Sequence, residues 1–197
     1  MEVLTAYWSY IIGALIVLAV LIVHGRALQK SLLPWIIASQ TVPILAIAPI
    51  VIVVLGSIGL TGLLPKSLIS AYLCFFPVAI GMVKGLTSPE PLQLDLLRTY
   101  SASAGQTFWL LRWPAAVPFL FASLKVAVAI SLVGAIVAEL PTGAQAGLGA
   151  RLLAGSYYGQ TVQIWAALFT AAIVASVMVA LTGLAERLTL RAMGLRR

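Results

Sequence analysis

The residues able to do chemistry are few in this chain and stand far apart. His24 is the only histidine and Cys74 the only cysteine. His24 ends an apolar run with no acid or nucleophile beside it, which leaves no histidine–acid pair for general base catalysis. Cys74 lies within an apolar run. It cannot form an intrachain disulfide and lacks companions for a metal site, so it reads as a small packing residue. The acids Glu2, Glu90, Asp95, Glu139 and Glu186 fall near the ends of apolar runs or between them. They give a membrane-embedded enzyme little to work with. No Gly-x-x-x-x-Gly-Lys-Ser/Thr phosphate loop occurs, so the chain does not bind ATP by that device. No catalytic residue, metal or cofactor is expected.

The most patterned polar stretch is Pro89 to Pro114, PEPLQLDLLRTYSASAGQTFWLLRWP. Leu92, Leu96 and Tyr100 recur at helical spacing, with Leu97 beside the stripe and Asp95, Arg98 and Thr99 interrupting it. This spacing predicts a short amphipathic helix. The small residues Ser101 to Gly105 suit a tight turn or close packing. A second short helix is expected to follow, with Pro114 opening the next span at its first turn. On pattern alone two readings stay open: a helix lying on the membrane surface, or a docking element for a cytoplasmic partner.

The elements that must hold this stretch are membrane helices. The chain has 197 residues, 62% hydrophobic and only 9% charged, with mean hydropathy +1.10. A soluble domain carries about 25% charged residues. Such a surface could not be covered in water. The fold class expected is all-α, a polytopic bundle of about five transmembrane helices in one transmembrane domain, with no soluble globular domain of its own. Apolar runs of about 20 residues place the spans near residues 6–23, 35–55, 65–83, 115–138 and 162–184. Pro43 and Pro49 fall inside the second and Pro77 inside the third, where membrane helices tolerate proline. Residues 84–114 form the long polar connection. Residues 139–161 form a second, glycine-rich one. No cleavable signal peptide is evident, because Met1-Glu2 lacks a basic start.

The net charge of +7 follows from topology rather than nucleic-acid binding. With alternating sides, Arg26, Lys30, Lys84, Arg98, Arg112, Arg187, Arg191, Arg196, Arg197 and Lys125 fall on one side, and Lys66 and Arg151 on the other. The positive-inside bias makes the first side cytoplasmic. The N-terminus is then outside and the C-terminus inside. Lys125 lies two to three turns into its span and is expected to snorkel toward the cytoplasmic interface. Glu139 lies at the outer end of the same span, as a gate, a partner contact or a hydrated interfacial acid. Gln40, Thr41, Ser70 and Ser131 are the remaining polar candidates for a path, with helix–helix glue as the plainer reading. Gly155-Ser156-Tyr157-Tyr158-Gly159 is expected to be an outer loop, with Tyr157 and Tyr158 as partner contacts or interface aromatics.

The polar stretch resembles the cytoplasmic loop of permease subunits of binding-protein-dependent ABC importers. That signature reads Glu-Ala-Ala, three residues, Gly, nine residues, Ile-x-Leu-Pro. Asp95-Leu96-Leu97, Ser101, Leu111 and Trp113-Pro114 stand at its positions, with leucines for the alanines and serine for the hinge glycine. Thr41-Val42-Pro43 through Ile50, Phe75-Phe76-Pro77-Val78 with Lys84-Gly85-Leu86, Arg112 to Pro118, Val137-Ala138-Glu139 and Gly147-Leu148-Gly149 resemble, in order, the nitrate/sulfonate/taurine and thiamine-precursor branch. The resemblance implies a type I importer permease fold in a bacterial inner membrane. Pro91 to Gly105 would be the coupling helix, with Leu92, Leu96 and Tyr100 as apolar anchors and Asp95 and Arg98 as a polar rim. The implied partners are two ATPase subunits and a periplasmic or lipid-anchored substrate-binding protein. A second permease copy fits as well, since five spans enclose a pathway poorly and two-fold pairing is the commonest assembly. Such permeases usually have six spans, and the missing one would be N-terminal. The implied cargo is a small solute, either an anion such as nitrate, a sulfonate or taurine, or a thiamine-precursor pyrimidine. A membrane-embedded enzyme or a non-catalytic assembly factor is the alternative.

Overall fold

The computed structural model describes Pro34, Ala38, residues 40–140 and residues 147–194. The expected first span, residues 6–23, lies outside these. Among the described residues every element is helical. Helix α1 is Ile44–Ser57 and α2 is Leu63–Leu86. Helix α3 is Pro91–Thr99, and the single turn α4 is Ala104–Thr107. A π-helical turn, Phe108–Arg112, runs straight into α5, Trp113–Glu139. Helix α6 is Leu148–Tyr157 and α7 is Thr161–Ala192.

Among the described residues, three helical stretches are long and apolar enough to cross a membrane: α2 with 24 residues, Ala104–Glu139 with 36, and α7 with 32. Helix α1 has 14 residues, about 21 Å at the usual rise. The sequence suggests a helix carried through Pro43. Instead the backbone turns at Gln40–Val42, and Pro43 caps α1 in an extended conformation. A proline lacks the N–H that a first turn leaves unpaired anyway, so a helix starts on it without losing a bond. Thr41 closes the preceding turn through its N–H and Oγ1, which donate to the Ala38 carbonyl at 3.0 and 2.7 Å. The glycine-rich link before α2 turns on Gly59 and Gly62, both at positive φ.

The chain divides into two compact units. One gathers the described residues from Ala38 to Phe76 with Val126–Leu181. The other gathers Pro77–Lys125 with the residues from Thr182 onward. In the first, α2 and α5 meet through small side chains. Ser70 Oγ donates to the Ser131 carbonyl at 3.2 Å, and Cys74 Sγ to the Ala127 carbonyl at 3.1 Å. Ala48, Ile69 and Ala138 form a buried cluster there, flanked by Ile44, Val51, Ile52 and Val137. In the second unit, Gly81 and Gly85 bring α2 against α5. A Cβ on Gly81 would stand 2.5 Å from Ser123 Cβ, and one on Gly85 would stand 2.8 Å from Ala116 Cα. Lipid supplies no hydrophobic drive between helices, so association depends on such close van der Waals contact. Val78, Met82 and Leu86 are buried beside this seam. Helix α7 is the opposite case: Trp165, Phe169, Ile173, Val177, Leu181 and Leu188 all lie exposed.

Candidate functional site

Helix α3 is closed at its start by its own residues. Pro91 occupies its first turn, and Glu90 and Gln93 form a reciprocal capping box, with the Glu90 N–H donating to Gln93 Oε1 at 3.2 Å. Both features satisfy orphan groups at a helix start. Arg98 Nη1 donates to Asp95 Oδ1 at 2.8 Å, one turn apart on the surface. Leu94 and Leu97 are half-buried and seat the helix. Leu92, Leu96 and Tyr100 point away, with 77%, 57% and 77% of their surface exposed. The expected stripe therefore exists and faces outward, while Leu97 belongs to the packed side.

The turn after α3 uses Ser101 itself. Ser101 has φ +53, the only positive φ outside glycine among the described residues. Ala102 N donates to the Leu97 carbonyl at 3.0 Å and Ser101 N to the Arg98 carbonyl at 2.9 Å. This is the paired bonding of a Schellman turn, in which glycine usually takes the left-handed position. Serine holds the geometry that the importer signature assigns to glycine. Two residues on, Ser103 caps α4: its Oγ accepts from Gln106 N at 3.2 Å and its N–H donates to Gln106 Oε1 at 2.8 Å. Gly105 sits inside α4 and makes no turn.

The second short helix does not stop before Pro114. Helix α4, the π turn and α5 run on without interruption from Ala104 to Glu139. Pro114 is the second residue of α5 and so stands in its first turn as expected, but a π turn rather than a break precedes it. Its ring would clash with the carbonyl of Leu110, four residues back. Leu110 and the half-buried Leu111 lie within the π turn. Phe108, Trp109 and Trp113 cluster there, with ring centroids 5.2 to 6.2 Å apart. Lys125 forms an ion pair with Glu186 of α7. Glu186 also borders an open groove of about 750 Å³, floored by Leu111, Pro114 and Pro118 and edged by Gln93 of α3.

The remaining sequence candidates fall in the other unit. Ser70 and Ser131 meet at the α2–α5 seam. Thr41 is exposed at the break before α1, and the Gln40 amide Nε2 is buried there. Glu139 Oε2 accepts from Gly149 N at 2.8 Å, and its Oε1 lies 3.7 Å from Lys66 Nζ. The supposed outer loop at 155–159 is instead the last turn of α6 and its cap. Gly155 lets α6 close on α7, since a Cβ there would meet Ile164 Cγ1 at 2.8 Å. Tyr157 and Tyr158 are 82% and 78% exposed at that end. Sequence reasoning missed Glu186, Lys66 and α6. The Gly81-x-x-x-Gly85 spacing in an apolar helix was the readable signal for the α2–α5 seam.

Residues 9–193 match the family described as the binding-protein-dependent transport system inner membrane component. The chain belongs to this family. Its relatives include the riboflavin transport system permease protein RibX of Chloroflexus aurantiacus, 33% identical over 171 residues, covering 85% of this chain and 61% of the relative. The formylaminopyrimidine transport permease protein ThiX of Halalkalibacterium halodurans is 31% identical over 141 residues, covering 72% and 54%. The putative aliphatic sulfonates transport permease protein SsuC of Bacillus subtilis is 26% identical over 185 residues, covering 93% and 65%. The chain thus spans between about half and two thirds of the length of these three relatives.

Proposed function

We propose that this chain is the membrane-spanning permease subunit of an ATP-driven importer and performs no catalysis itself. The observation that carries this reading is α3: a capped nine-residue helix that presents Leu92, Leu96 and Tyr100 to solvent. A helix packed only for its own stability would turn these residues inward. An outward apolar stripe with the Asp95–Arg98 pair beside it suits a cleft on a partner protein. The partner is an ABC ATPase, two copies serving two permease copies. Residues 89–113 are cytoplasmic, the N-terminus is outside and the C-terminus is inside. A substrate-binding protein delivers the solute at the opposite face, where Tyr157 and Tyr158 meet it. Gln40 and Thr41 contribute polar groups to the path at the break before α1, because open backbone at membrane depth is tolerated where it lines a cavity. The cargo is a small solute of the kind named for the relatives: a pyrimidine, a flavin or a small sulfonate.

Co-purification tests the reading. The wild-type chain should bring down an ATPase, and Asp95→Arg should release it, because the substitution puts a second cation beside Arg98 on the docking rim. Retention of the ATPase with intact transport in that variant would refute the assignment of α3. The solute is identified from the ligand that co-purifies with the cognate binding protein.

A further inference from the structure

Two separate stretches of the sequence, Val137–Glu139 and Gly147–Gly149, come together in the structure at one carboxylate. Glu139 ends α5, and its Oε2 accepts the Gly149 N–H at 2.8 Å. Gly149 is in the first turn of α6, where backbone N–H groups have no partner within the helix. The N-cap position itself is Gly147, which has no side chain to offer, so the cap comes from another helix. Both glycines are needed for the approach. Gly147 has φ +138, and a Cβ there would fall 2.2 Å from Glu139 Oε2. A Cβ on Gly149 would fall 2.4 Å from the Ile136 carbonyl and 2.8 Å from Glu139 Cβ. Lys66, in the first turn of α2, lies 3.7 Å from the same carboxylate. At the far end of α6, Gln160 N donates to the Gly155 carbonyl at 2.8 Å; nearer its start, Gln163 Nε2 of α7 donates to the Arg151 carbonyl at 3.1 Å.

We infer that Glu139 is a positioning residue that caps α6 from across the chain and fixes the attitude in which α6 presents Tyr157 and Tyr158. A carboxylate suits this place, since the exposed N–H groups and the helix dipole both favour negative charge. Lys66 ties the same carboxylate to α2, so three helix ends share one acid. The link to transport rests on the importer reading above; the capping itself does not.

Hydrogen–deuterium exchange of the full chain in lipid nanodiscs tests the capping without any partner. In Glu139→Ala, amides 148–151 should exchange about tenfold faster, the loss expected for one charged hydrogen bond. In Glu139→Gln, which keeps an acceptor oxygen, the increase should stay within about threefold. Gly149→Ala, which leaves Glu139 in place but blocks its approach, should reproduce the alanine result and serves if Glu139→Ala does not fold. Unchanged exchange in Glu139→Ala and Gly149→Ala, or equal effects of Gln and Ala at 139, would overturn the inference. In the assembled transporter, Glu139→Ala should still retain the ATPase but lose the stimulation of ATP hydrolysis by the binding protein, and Glu139→Gln should restore it. A general structural fault would instead lower ATPase retention, and that outcome overturns the positioning role. If the wild-type chain recruits no ATPase, the importer reading fails while the exchange result still decides the role of Glu139.

Discussion

Ser101 holds the left-handed position of the α3 turn with φ +53. A non-glycine residue there costs about 1–2 kcal/mol, partly offset because glycine is freer in the unfolded chain. Ser101→Gly should therefore stabilise the protein by up to about 1 kcal/mol, read as a higher thermal midpoint in detergent, with ATPase retention intact. Ser101→Val should lower both, since a β-branched side chain tolerates positive φ poorly. The Lys125–Glu186 pair makes a different prediction. Removing one partner leaves a charge in apolar surroundings, and these side chains are only 36% and 20% exposed. Glu186→Ala should cost about 1–3 kcal/mol. Lys125→Leu with Glu186→Leu should recover most of it, because paired apolar residues replace an ion pair at little loss. A cost for the double variant as large as that for the single one would show that the pair is not the source of the effect.

At the level of elements, the α2–α5 seam depends on absent side chains. Gly85→Leu would drive its Cβ to 2.8 Å from Ala116 Cα. It should destabilise the protein by about 1–3 kcal/mol or more, whereas the same change at Gly56, where nothing stands within 4 Å, should be tolerated. Unfolding in detergent compares the two. Helix α3 was legible from sequence because Leu92, Leu96 and Tyr100 repeat at helical spacing and Pro91 marks its start. The long spans were legible because lipid demands unbroken apolar length. Helix α6 was not. Its ten residues include Gly149 and Gly155, which local propensity counts against a helix. Only the tertiary cap from Glu139 and the close approach of Ile164 explain them. Glu186 was overlooked for a similar reason: a lone acid in a basic tail has no visible partner until α5 and α7 pack together.

For the whole molecule, the topology proposed above assigns a side to every connection from the distribution of basic residues. Cysteine at Gln106 should react with an impermeant maleimide only after the membrane is opened, and cysteine at Ser156 should react in intact cells; Cys74 is buried and gives little background. The reverse pattern would invert the topology and remove the basis for an ATPase at α3. The exposed apolar face of α7 is ordinary in lipid, where no water penalises it. The π turn has a further consequence for the assembly. Phe108–Arg112 contributes one residue more than an α-helical path would use. Each residue advances a helix by about 100°, so the direction in which α3 points is an angle set by residue count. Deleting one residue within 108–112 would leave the span intact yet swing the Leu92–Leu96–Tyr100 stripe about 100° around the axis; under the proposed coupling role, that variant should disengage the ATPase.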